Sequence, residues 1–104
     1  MTVTGTADVD ATSATNDGTL NVTGGDLAVA GTLDNNKTLN VSGGAVFADT
    51  LSNDDTANLS GGDIDVTNLT NSSTGTMTVS GTADVDAVGA TNDGTLNVTG
   101  GIWR

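Results

Sequence analysis

Three Asp-x-Asp pairs, Asp8/Asp10, Asp63/Asp65 and Asp84/Asp86, are the residues of this 104-residue chain whose type and spacing could do chemistry. Carboxylates two apart on a strand share a face, and hard oxygen donors of this kind suit Ca²⁺. Asp63, Asp65, Asp84 and Asp86 are therefore the calcium candidates, and no other cofactor is implied. The Gly-Gly-x-Gly-x-Asp nonapeptide of calcium-binding β-rolls is missing, however. In the polar corners, aspartate alternates with neutral residues in the order Asp17, Asn36, Asp55, Ser73, Asp93, which relieves like-charge stacking without a metal. Paired carboxylates also serve polysaccharide lyases and hydrolases built on parallel β-helices. Here Lys37 is the only interior basic residue, and the pairs recur as strand decoration instead of converging. Such spreading builds a surface and not a pocket, so no catalytic residue is assigned.

A second set is polar and uncharged. Thr19-Asn21-Thr23, Thr38-Asn40-Ser42, Thr56-Asn58-Ser60, Thr76-Thr78-Ser80 and Thr95-Asn97-Thr99 repeat one outward face. Asn21, Asn40, Asn58 and Asn97 each open an Asn-x-Ser/Thr sequon there, as Asn68 and Asn71 do elsewhere. A column of such asparagines either carries sugars or stacks amide on amide, as in cross-β ladders. Regular hydroxyls on a rigid sheet also resemble the ice-binding faces of antifreeze solenoids, although the central Asn interrupts a Thr-x-Thr lattice.

Composition narrows the functions further. The net charge is −11, with two basic residues against thirteen acidic ones, every one of them Asp. Two cations cannot neutralise a phosphate backbone, which argues against nucleic acid as a partner. No apolar run approaches the ~20 residues of a membrane span, so membrane insertion is not expected. Without Cys or His there is no disulfide, no ordinary zinc site and no Ser-His or Cys-His nucleophile.

These residues are positioned by a repeat at two scales. Residues 1–25 recur at 77–101 with 22 of 25 identical, differing only at Thr4/Ser80, Thr12/Val88 and Ser13/Gly89. Within this 76-residue period the phrase GTLNVTGG (18–25) returns as KTLNVSGG (37–44), DTANLSGG (55–62), GTMTVSGT (75–82) and GTLNVTGG (94–101). Its first apolar residue falls at Met1, Leu20, Leu39, Ala57, Met77 and Leu96, in steps of 19, 19, 18, 20 and 19. Each unit alternates apolar and polar residues, as in Leu20/Val22, Leu27/Val29 and Ile64/Val66, the period of a strand with one buried face. A third apolar point (Leu33, Leu51, Leu69, Ala90) precedes an Asn/Asp/Ser/Gly corner whose side chains are expected to cap their own backbone.

Short strands, a fixed repeat of about 19 residues and no helical periodicity define an all-β parallel β-helix, a β-solenoid of about five and a half turns. The whole of 1–104 reads as a single solenoid segment. Because Met1 aligns with Met77, it reads as an excerpt of a longer repetitive protein. At Gly5–Ala11 and Gly81–Ala87 the inward set slips by one residue, which a bulge or altered corner must absorb. Phe47 faces outward or fills the core, depending on register. Trp103 stands where Leu27 stands a few turns earlier, so core packing is expected.

With GTLNVTGG, KTLNVSGG and the 19-residue turn, the chain resembles the β-helical shafts of filamentous-haemagglutinin-type adhesins and autotransporter passenger domains. The resemblance implies a secreted or bacterial cell-surface shaft, structural or adhesive. The repeat itself adds an expectation: because turn one resembles turn five, copies can follow one another end to end into extracellular filaments, with neighbouring shafts and cell-surface or matrix glycans as the other expected partners. An ice-binding solenoid using the Thr/Asn face is the alternative, and a polysaccharide-processing β-helix stands behind it.

Overall fold

Alternation with a period of two produces strands and nothing else. The computed structural model describes residues 1–104 and contains no helix. Its eleven strands are β1 (Thr2–Val3), β2 (Asp8–Ala11), β3 (Ala14–Asn16), β4 (Thr19–Val22), β5 (Asp26–Asn35), β6 (Thr38–Asn53), β7 (Thr56–Asn71), β8 (Thr76–Val79), β9 (Asp84–Asn92), β10 (Thr95–Val98) and β11 (Ile102–Trp103). Every pairing is parallel, turn upon turn. The chain is a β-solenoid of about five turns of roughly 19 residues. β6 and β7, 16 residues each, run through all three sides of a turn, so each turn has three faces. The first face stacks β1, β4, the start of β6 and β7, β8 and β10. The second stacks β2, the start of β5, 45–48, 63–66, the start of β9 and β11. The third stacks β3 with 32–35, 50–53, 68–71 and 89–92.

Twenty buried apolar residues form one continuous core. Each turn contributes five apolar columns, two from the first face, two from the second and one from the third. The columns trade volume between neighbours. Leu39 and Val41 are followed by Ala57 and Leu59, and then by Met77 and Val79, so a small residue at one position is matched by a larger one beside it. Close packing requires such compensation where neighbouring turns lie only ~4.8 Å apart. Leu33, Leu51 and Leu69 are buried, but Ala90, at the end of the same column, is exposed. Trp103 pairs with Val85 and packs half-buried against the core, as its alignment with Leu27 implies.

Turns differ in length, and the differences fall in the corners. Between the first two faces most turns use a Gly-Gly pair whose second member has positive φ, at Gly25, Gly44, Gly62 and Gly101. This column needs glycine twice over: a Cβ on Gly44 would collide with the Gly25 carbonyl oxygen, in a conformation that L side chains rarely adopt. The turns with the one-residue slip use another corner. There Ala7 N–H donates to Thr4 O at 3.1 Å and Ala83 N–H to Ser80 O at 3.3 Å. Positive φ at Gly5 and Gly81 but not at the following Thr is the pattern of a primed β-turn. This turn takes up the extra residue, so that Val9 still meets Leu27 and Val85 still meets Ile64.

Gly44→Ala should therefore destabilise the chain by at least ~1 kcal/mol in urea unfolding. Gly18→Ala, at a corner with negative φ and nothing within 4 Å of an added Cβ, should be neutral or mildly stabilising.

Candidate functional site

The polar residues of each turn sort into three environments: an inner column, an uncharged outer face and an acidic outer face.

The inner column was not anticipated. The first Asn of most polar corners does bond the backbone of its own corner, as expected, but it also points into the solenoid. Asn35, Asn53 and Asn71 are buried. The stack runs Asn16, Asn35, Asn53, Asn71, Asn92, and each Nδ2 donates to the Oδ1 of the next at 2.7–2.8 Å. The Nδ2 groups of Asn16, Asn35, Asn53 and Asn71 also reach the backbone. Asn35 Nδ2 lies 3.2 Å from Lys37 O in its own corner and 2.8 Å from Thr56 O on the next turn, and Asn53 does the same with Asp55 O and Thr76 O. Asn71 keeps the pattern with Gly75 O and Thr95 O although its corner holds two additional residues. The amide thus closes the third face onto the first. The signal available in the sequence was constancy: Asn recurs at all five positions while the next residue varies through Asp17, Asn36, Asp54, Ser72 and Asp93.

The outward first face is uncharged, as expected. Thr19, Thr38, Thr56, Thr76 and Thr95 stand in register, as do Asn21, Asn40, Asn58, Thr78 and Asn97. Asn40 Nδ2 donates to Asn21 Oδ1 and Asn58 Nδ2 to Asn40 Oδ1, both at 2.9 Å. Thr78 interrupts this ladder, leaving Asn97 beyond it. Two edge hydroxyls turn toward backbone, Thr23 to Val3 O at 3.4 Å and Ser60 to Val41 O at 3.3 Å, and these two residues are exposed, as Ser42 and Thr99 are. Amides engaged with one another present fewer free donors to a ligand than the sequence pattern suggests.

The second face is acidic. Of its ten outward positions in 8–11, 26–29, 45–48, 63–66 and 84–87, seven are Asp; the others are Ala28, Ala45 and Phe47. Asp63 pairs with Asp84 and Asp65 with Asp86, so the four calcium candidates form a two-by-two array. Arg104 lies across one side of it, Nη2 at 3.1 Å from Asp84 Oδ2 and Nη1 at 3.2 Å from Asp86 Oδ2. The other oxygen of Asp84 is shielded and has no hydrogen-bond partner. No group of three or more acidic side chains gathers at one point. In the corner, Asn36 Nδ2 donates to Asp17 Oδ1 at 2.9 Å, so neutral amide meets carboxylate where the alternation places them. Phe47 points outward and is 42% exposed.

No protein-family model matches this chain, and comparison with curated proteins and with solved structures finds no match either. Any functional reading therefore rests on the geometry of the faces and on the repeat itself.

The two amide ladders should separate cleanly by mutation. Asn53→Ala removes a buried link, leaving Asn71 Oδ1 without its donor and Asn35 Nδ2 short of one acceptor, at a cost of ~1–3 kcal/mol in urea unfolding. Asn58→Ala on the outer ladder should cost less than ~1 kcal/mol. Asn53→Asp replaces the donor with a carboxyl group in a dry column. Burial raises the pKa of such a group in the folded state, so its protonated form is favoured there and stability is lost as pH rises. Asn53→Asp should therefore be closer to the parent near pH 4 than near pH 7.

Proposed function

We propose that this chain is a length of structural or adhesive shaft from a secreted or bacterial cell-surface β-solenoid, acting by extension, stiffness and repetition of its faces. The observation that carries this reading is the constancy of the cross-section. Six inward positions per turn, five apolar and one Asn, keep their register while the corners change length. A cross-section that repeats in this way can be continued without limit, and chemistry on its surface is multiplied along an axis instead of gathered at one place.

The same constancy supports end-to-end association. A further copy stacked on either end would meet the same register of inward residues that each turn already offers its neighbour. Such contacts are heterologous and do not close, so they generate a filament.

Two measurements test this. Inserting a second copy of 20–95 after residue 95 adds one 76-residue period, four turns. X-ray scattering should then show the particle lengthening by ~19 Å with an unchanged cross-section. A globular collapse or a wider particle would refute the shaft. Negative-stain microscopy over a concentration series, with calcium and with chelator, should show thin filaments, and X-ray fibre diffraction from them a ~4.8 Å axial repeat. Separate short particles at every concentration would refute end-to-end association while leaving the shaft intact.

A further inference from the structure

The acidic second face has an apolar interruption that the shaft reading does not use. Ala28 and Phe47 are register partners in one outward column, and Ala45 lies two residues before Phe47 on the same strand. Together they make a contiguous apolar island. Beside Phe47 a shallow groove of about 420 Å³ is lined by Asp10, Ala11, Ala28, Val29, Ala30 and Phe47, among others. Along the column the order is Asp10, Ala28, Phe47, Asp65, so the island has a carboxylate at each end. The parallel column, Asp8, Asp26, Ala45, Asp63, Asp84, repeats the arrangement. Phe47 could have been another small or polar residue at no cost to the core. At this position an exposed ring among carboxylates invites an apolar group that carries positive charge.

We propose that the second face binds an extended basic segment of a partner polypeptide, seating an apolar side chain in the Phe47 groove and an arginine on the carboxylates at either end. Charge complementarity selects the partner. A second copy of this chain carries −11 and only two basic side chains, so it is repelled from this face. The molecule also contains its own example of the contact: the Arg104 guanidinium reaches across an Asp-x-Asp pair, touching Asp84 and Asp86 at 3.1 and 3.2 Å. Guanidinium is the cation suited to such a two-point contact, since its planar fork presents several donors at once.

Spacing defines the segment. Asp10 and Asp65 are three turns apart along the column, about 14 Å at ~4.8 Å per turn. In an extended chain, residues i and i+4 lie on the same side and ~13–14 Å apart, with i+2 midway. A segment lying along the solenoid axis with the pattern Arg-x-apolar-x-Arg therefore puts its arginines at Asp10 and Asp65 and its central side chain over Ala28 and Phe47. The exposed acidic rim adds salt-sensitive attraction, and the groove adds selectivity for the central residue.

Calorimetric titration of the full chain with an acetylated, amidated Arg-Ser-Leu-Ser-Arg peptide at low salt tests the proposal. One-to-one saturable binding is expected. Replacing the central Leu of the peptide with Ser, or making Phe47→Ser in the protein, should weaken it about tenfold. Asp10→Asn and Asp65→Asn should each weaken it about three- to tenfold, while Asp93→Asn, in a corner off this face, should leave it unchanged. The peptide substitution leaves the protein untouched, so a folding defect cannot imitate its effect. The proposal is overturned if there is no saturable binding, if Leu and Ser peptides bind alike, or if Asp93→Asn weakens binding as much as Asp65→Asn. The last two results would mean that charge alone gathers the peptide.

Discussion

A primary amide shut away from water must place its N–H hydrogens and its oxygen on protein partners, and in this solenoid those partners sit on the adjoining turns. Asn35, Asn53 and Asn71 each hold the amide of the following turn and a carbonyl at the start of its first face. A slip of one residue would bury these groups unpaired, at about 1–3 kcal/mol apiece. The apolar columns are more permissive, since Leu39, Ala57 and Met77 follow one another at a single position. Hydrophobic burial holds the turns together, and the amide column determines which residue lies over which. The corners can then vary: two more residues before Thr76 and one more before Asp84 leave every inward neighbour in place.

Most of the fold was legible because it is written in periods. Alternation showed the strands, and 19-residue recurrence of Leu20, Leu39 and Met77 showed that they stack instead of folding back as hairpins. The slip at Gly5–Ala11 pointed to an altered corner, and a tight turn is found there. What stayed hidden was the inward Asn. In a corner rich in Asp, Ser and Gly, asparagine is equally at home capping a turn or facing a dry core, and hydropathy does not distinguish the two. Phe47 was ambiguous for a related reason. Val46 and Ala48 on either side are as apolar as it is, so the alternation that orients other strands is locally absent. The candidate carboxylates stand on one outward face, and no pattern of residues could show that Arg104 would lie across two of them.

The distribution of charge follows from the stacking. Like residues on successive turns lie ~4.8 Å apart, close enough for carboxylates to repel strongly. On the second face no column holds more than two aspartates in succession: Asp8 and Asp26 give way to Ala45, and Asp65 and Asp86 end at Arg104. The first face carries no charged side chain at all and accepts amide-on-amide stacking in its place. One rod thus presents chemically distinct sides whose composition is limited by what each column tolerates.

The near-identity of 1–25 and 77–101 has a meaning for inheritance as well as for packing. Two stretches this similar in protein imply similar coding sequence, and similar coding sequence can mispair and exchange when DNA is copied. An exchange between them adds or removes four whole turns, and because their registers are the same the join falls on a surface that already fits. Length is then a trait that can drift over generations with no redesign of the core, as links are added to a chain whose links share one shape.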